Sequence, residues 1–291
     1  MKKWIGVLMI GLLIGACGKE GEKELTEEER EEIANEKIEF SLDVAEGMVE
    51  MAFGAIELAS ILGVSSQSSP LKAQQASQCP QFDFPLEDDC DLQDECDVEV
   101  VLDWGDGCVG NDGIFRKGKI TISGRITSTS LNATAKFENF EEEGNKITSG
   151  ELSLDLQKTA EGWDAEIEAE KIKGVNEDGN YSADFTLAIS SDVRGTEEDD
   201  SDDLITINGN GKFSSDEGSF SITFNNVTQD NQECDEHPIS GSVEIEIDSE
   251  EAEGTIKFTF HEVCDGKIDV EADLKIDGSS VKVNTTVTIE E

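Results

Sequence analysis

The sequence predicts an all-β protein: an antiparallel meander of about twelve amphipathic strands, preceded by an N-terminal helix. Two observations carry this. From about residue 97 onward, apolar side chains recur at every second position, and the positions between them are mostly Glu, Asp, Lys, Ser or Thr. Each strand therefore has one wet and one dry face, as antiparallel sheets do and buried parallel sheets do not. The connections are short and rich in Gly, Asn and Asp, the residues that close tight turns between neighbouring strands.

The chain opens with Met1-Lys2-Lys3, an apolar run from Trp4 to Ile14 and the small pair Gly15-Ala16. This has the three parts of a secretory leader, and the apolar run falls well short of the roughly twenty residues a spanning helix needs. Residues 1–16 are read as a signal peptide and 17–25 as a tether. Ile14-Gly15-Ala16-Cys17 resembles the lipobox of bacterial lipoproteins. The resemblance implies acylation of Cys17, an anchor on the bilayer through more than one chain, and, with Gly18 next, the outer membrane.

Thr26-Glu27-Glu28-Glu29 has the form of a capping box with acids in the first turn. Apolar residues at Ile33, Ile38, Leu42, Val44, Met48, Val49, Phe53, Ile56 and Leu62 then follow helical spacing. An amphipathic helix is expected over 26–63, with Gly47 and Gly54 as points where it bends. A polar linker rich in Ser and Gln occupies 64–78, and the acidic β domain fills 79–291.

Within that domain the alternating segments lie at 98–104, 120–122, 131–137, 152–156, 163–167, 181–189, 205–207, 220–224, 243–247, 256–260, 268–276 and 281–283. Their dry faces must meet. A sandwich, a soluble barrel and a curled half-barrel with the helix inside all achieve that, and periodicity does not choose among them. An outer-membrane barrel would carry aromatic girdles, which one Tyr and three Trp do not supply. Lys119-Ile120-Thr121-Ile122 echoes Leu204-Ile205-Thr206-Ile207. The steps Phe137-Glu138-Asn139 and Phe224-Asn225-Asn226, then Ser149-Gly150 and Ser240-Gly241, follow in the same order. Two similar halves, about 97–190 and 204–291, are the reading.

Against 67 acidic residues stand 22 basic ones, a net charge of -45. Such a surface repels nucleic acid, whose phosphates are held by Lys and Arg. No GxSxG, HExxH or Walker loop is present, and the acid pairs are too common to single out a glycosidase dyad. The expectation is a protein without catalytic activity.

Asp103-Trp104-Gly105-Asp106-Gly107-Cys108 and then Asp112-Gly113-Ile114-Phe115-Arg116-Lys117-Gly118-Lys119 form the most specific stretch. It resembles a pattern found in uncharacterised bacterial outer-membrane and surface lipoproteins, in which an upstream Cys, here Cys79, accompanies it. The resemblance covers about forty residues and implies architecture and location. Cys90 and Cys96 stand outside it as an insertion. Physically the stretch is a turn between two strands; Asp103, Asp106 and Asp112 also offer hard oxygen ligands, so calcium is the one cofactor considered. The acid runs from Glu87 to Asp97 and from Glu197 to Asp203 suit loose association with divalent cations.

Six cysteines remain after Cys17, an even number that in an exported protein points to disulfides. The pairs expected are Cys234 with Cys264, Cys79 with Cys108, and Cys90 with Cys96. His237 and His261 each stand three residues from a Cys, so a zinc site is the competing reading for Cys234 and Cys264. Both pairings assume one hairpin, yet facing Val243, Ile245 and Ile247 against Ile256, Phe258 and Phe260 demands a different register, with a bulge near Pro238 to reconcile the two. The function expected is a non-enzymatic, lipid-anchored envelope or surface lipoprotein with a structural or interaction role, its partners the membrane and an envelope protein or ligand. The alternative is a carrier holding a hydrophobic ligand in a curled sheet.

Overall fold

Thr26 starts the only helix among the described residues. Its hydroxyl accepts the Glu29 N–H (3.2 Å) while the Glu29 carboxylate accepts the Thr26 N–H (2.7 Å), the reciprocal pair the sequence predicts. The structure, a computed structural model, describes residues 25–61, 79–83 and 96–288, apart from 111–112, 143, 177–178, 193, 195–203, 217, 231, 233, 235–237 and 262; for 46–47, 50–61 and 82–83 it describes the backbone alone. Helix α1 runs Glu27–Ile61, unbroken at Gly47 and Gly54. Its buried stripe is Ala34, Lys37, Ile38, Ser41, Val44, Ala45 and Met48, spaced three and four apart as a helix face must be. Ile33, Leu42 and Val49 flank it half-buried.

The strands are β1 (Gln81–Asp83), β2 (Cys96–Val109), β3 (Phe115–Ile126), β4 (Ser130–Glu142), β5 (Asn145–Lys158), β6 (Gly162–Asn176), β7 (Gly179–Asp192), β8 (Leu204–Ser215), β9 (Gly218–Asp230), β10 (Ser240–Ser249), β11 (Ala252–Phe260), β12 (Lys267–Ile276) and β13 (Ser279–Thr288). Each pairs antiparallel with the next in a single sheet. The twelve segments found by alternation are β2 to β13, and only the three-residue β1 escaped that signal. Residues 97–190 and 204–291 hold six long strands each. The sheet is open, since β1 and β13 are its two ends. Of the arrangements left undecided by periodicity, the closed barrel and the two-sheet sandwich are therefore excluded, and the open sheet with a helix on its dry face is observed.

Three contacts fix how α1 lies. The Leu25 N–H reaches Asp277 in the β12–β13 turn, Lys37 pairs with Glu251 in the β10–β11 turn at 3.0 Å, and Phe40 meets Phe220 at the start of β9 edge-on, 5.6 Å between centroids. Successive helix residues thus meet successively earlier strands, so α1 crosses the strands on their dry face. A helix is about 10–12 Å wide, whereas a ten-residue strand is about 33 Å long. Yet Ile268, Val270, Leu274, Ile256 and Phe258 are all essentially inaccessible. One helix cannot cover that much surface, so the sheet curls over it.

Bulges supply the curl. The register slips between β3 and β4 beside Gly118, between β5 and β6 beside Gly150, and between β9 and β10 at Ser240/Ser242. A bulge bends its strand and increases its twist. Asn139 and Asn226, the last residues of the two Phe-x-Asn steps, adopt left-handed φ of 51° and 48°. A side chain on Gly118 would collide with the Asn139 carbonyl, and one on Gly241 with the Asn226 carbonyl. The repeated step therefore marks a bend in each half, set against the preceding strand β3 in the first and against the following strand β10 in the second. Ser149-Gly150 sits instead against Ile172, so that element of the echo has a different partner in the first half.

Candidate functional site

The Cys234–Cys264 disulfide spans 5.4 Å between Cα atoms. Contrary to the one-hairpin picture, Cys234 lies in the β9–β10 connection and Cys264 in the β11–β12 connection. In an antiparallel meander, connections two strands apart return to the same end of the sheet, and this brings the cysteines together. β10 and β11 keep the register that the apolar pattern demands, with Val243 opposite Phe258 and Ile245 opposite Ile256. The bulge sits at Gly241 against β9, not at Pro238 against β11. Both sulfurs are consumed, which removes the zinc reading. His237 lies outside the described residues, and His261 stands between Asp269 (3.2 Å) and Asp265 (3.7 Å). Asp265 is held below the usual carboxylate range first by the Lys267 N–H, and Asp269 first by the Thr286 hydroxyl and then by His261.

The stretch from Asp103 is a bulged hairpin between β2 and β3. Asp103 Oδ1 accepts the Gly105 N–H at 2.7 Å, with Gly105 at φ 56°, which is how an Asp stabilises a turn. Trp104 is buried against Phe140, 5.3 Å between centroids. Cys108 is bonded to Cys79 across 6.0 Å, as expected, and ties β1 to the far end of β2. In register beside Cys108 stand Arg116 and then Glu142, an ion pair in which both side chains are almost fully buried. Arg116 keeps step with Ile120 and Ile122 in the dry register of β3, whereas Glu142 turns inward only because of the bulge at Asn139 in β4. Cys96 is also disulfide-bonded, while Cys90 lies outside the described residues.

Of the proposed calcium ligands, Asp103 is occupied by its own turn, Asp106 is exposed, and Asp112 lies outside the described residues. Among the described residues no three His, Cys, Asp or Glu side chains converge as a metal would require. Melting with and without EDTA tests the cation: a ligand bound only to the folded state raises the midpoint, so a fall on chelation would establish it and an unchanged midpoint would remove it. The acid run from Glu197 to Asp203, and that from Glu87 as far as Glu95, lie outside the described residues, as does Cys17 with the leader.

Sequence reading gave no sign of a groove of about 730 Å³ on the wet face of β2, β3 and β4, lined by Asp97, Glu99, Ser123, Arg125, Asn132 and Thr134. Its floor follows from register: Asp97, Arg125 and Asn132 form one cross-strand row and Glu99, Ser123 and Thr134 the next. Asp97 meets Arg125 at 3.5 Å, and Asn132 donates to Asp155 at 3.1 Å. The groove is open, runs along Val98 and Gly124 as well, and lies on the face opposite Ile122 and Ala135, so it is not the enclosed apolar cavity a hydrophobic carrier needs.

Elsewhere on the wet face, charges are spent on neighbouring strands. Lys275 holds Glu253 (2.7 Å), Lys282 holds Asp273 (2.6 Å) and Lys119 holds Glu138 (2.9 Å). Burial pushes the Tyr181 hydroxyl up to about 12, which keeps it neutral inside the core. No family model, curated protein or solved structure matches the chain.

Proposed function

We propose that this chain is a lipid-anchored lipoprotein of the bacterial outer membrane, on its periplasmic or cell-surface side, with a structural or interaction role and no catalytic one. The Ile14-Gly15-Ala16-Cys17 sequence behind a short apolar run carries the anchor. Lys275, Lys282 and Lys119, each committed to a carboxylate on the neighbouring strand, support a structural role for that face. Two disulfides suit an oxidising compartment. In this reading residues 17–25 tether α1, and through it the sheet, to the bilayer. Cys17→Ala is expected to release the protein from membranes in fractionated cells; continued sedimentation with the membrane would overturn the anchor.

A second reading, the hydrophobic carrier, draws on one observation. Dry-face apolar side chains of β6 to β12, Phe213 apart, are buried, whereas Val98, Leu102, Ile122, Ala135, Leu152 and Leu154 of β2 to β5 are only partly so. If that end of the sheet holds an acyl chain, native mass spectrometry of the chain extracted in mild detergent will show a bound lipid. Its absence would dismiss the carrier.

A further inference from the structure

We propose that β13 is a self-pairing edge through which two copies of this chain join their sheets in antiparallel register. The two ends of the sheet are finished differently. One ends in β1, three residues long and preceded by Pro80, and both features blunt an edge against further pairing. The other ends in β13, ten residues long, which pairs with β12 on one side and with no described strand on the other. Its sequence, Ser-Ser-Val-Lys-Val-Asn-Thr-Thr-Val-Thr, is rich in β-branched residues and lacks proline.

Charge explains why the partner is a second copy. In a chain of 67 acidic residues β13 has none. Lys282 and Thr286 also reach back onto β12, where they hold Asp273 and Asp269, so of the three carboxylates that β12 sets beside this strand only Glu271, opposite Asn284, is not held from β13. More distant acids are damped by salt, whose screening length is about 8 Å at physiological ionic strength. Opposed residues share a face, and centring the pair on Asn284 satisfies this throughout the strand. Val281 then faces Val287 of the copy, Val283 faces Thr285, Lys282 faces Thr286, and Asn284 faces Asn284. Val281, Val283 and Val287 are half-buried on the dry face, and the copy's strand would cover them further.

Two measurements on the full chain test this. A photo-crosslinking residue at Asn284, activated in cells, is expected to give a product of twice the chain mass; no product, or a product with a different protein, overturns the proposal. In density-matched detergent, sedimentation equilibrium is expected to show a dimer. Asn284→Lys and Asn284→Glu each set like charges opposite one another and are expected to weaken it several-fold, while an equimolar mixture of the two restores it. Asn284→Lys faces Glu271 within its own sheet, so its monomer stays folded. A monomeric wild type, or variants that associate as wild type does, overturns the proposal. The proposal is independent of whether Cys17 is acylated.

Discussion

Arg116→Met is expected to lower unfolding stability by about 3–5 kcal/mol, the range for removing one partner of a buried ion pair. Arg116 and Glu142 lie on adjacent strands with side chains 7% and 4% exposed. Without the guanidinium, the Glu142 carboxylate stays ionised in a site closed to water, or folds only at the cost of taking up a proton. Glu142→Leu strands the guanidinium in the same way. The double variant, which removes both charges, is expected to be more stable than either single one, because what destabilises is the uncompensated charge and not the missing attraction. Urea unfolding of the three variants decides this: a double variant worse than both singles would show that the pair contributes net stability.

The Cys234→Ser, Cys264→Ser variant is expected to lose about 3–4 kcal/mol, the chain-entropy effect for a closed loop of this size. The cysteines are 30 residues apart in sequence, and the loop they close contains the whole of β10 and β11. For a domain of this length the melting midpoint should fall by roughly 10 °C. An unchanged midpoint would mean that the sheet already holds those connections in place.

Much of the fold was legible because the alternation is a local property. Val243, Ile245 and Ile247 declare a strand whatever surrounds them, and their apolar match with Ile256 and Phe258 fixed which faces meet, a condition the observed Val243–Phe258 register satisfies. The cysteine geometry was not legible. Cys234 and Cys264 look like hairpin partners in sequence and meet instead as two separate loops, since what unites them is the return of alternate connections to one end of the sheet. The Arg116–Glu142 pair was hidden on its acidic side: the bulge at Asn139 turns Phe140 and Glu142 of β4 inward in place of the odd positions held from Leu131 to Ala133, and bulges are invisible to a strict period of two. The wet-face groove depends on three strands at once, so no single segment carries its signal.

The sequence by itself determined the capped helix, the twelve long strands, their wet and dry faces and the cysteines able to pair, all of which depend on neighbours close along the chain. Only the tertiary structure decided that the sheet stays open, that α1 crosses its dry face beneath the curl, and that β13 is left at an edge. Those outcomes depend on where a few bulges bend the sheet and on how far that bending carries its two ends, a sum over strands remote in sequence.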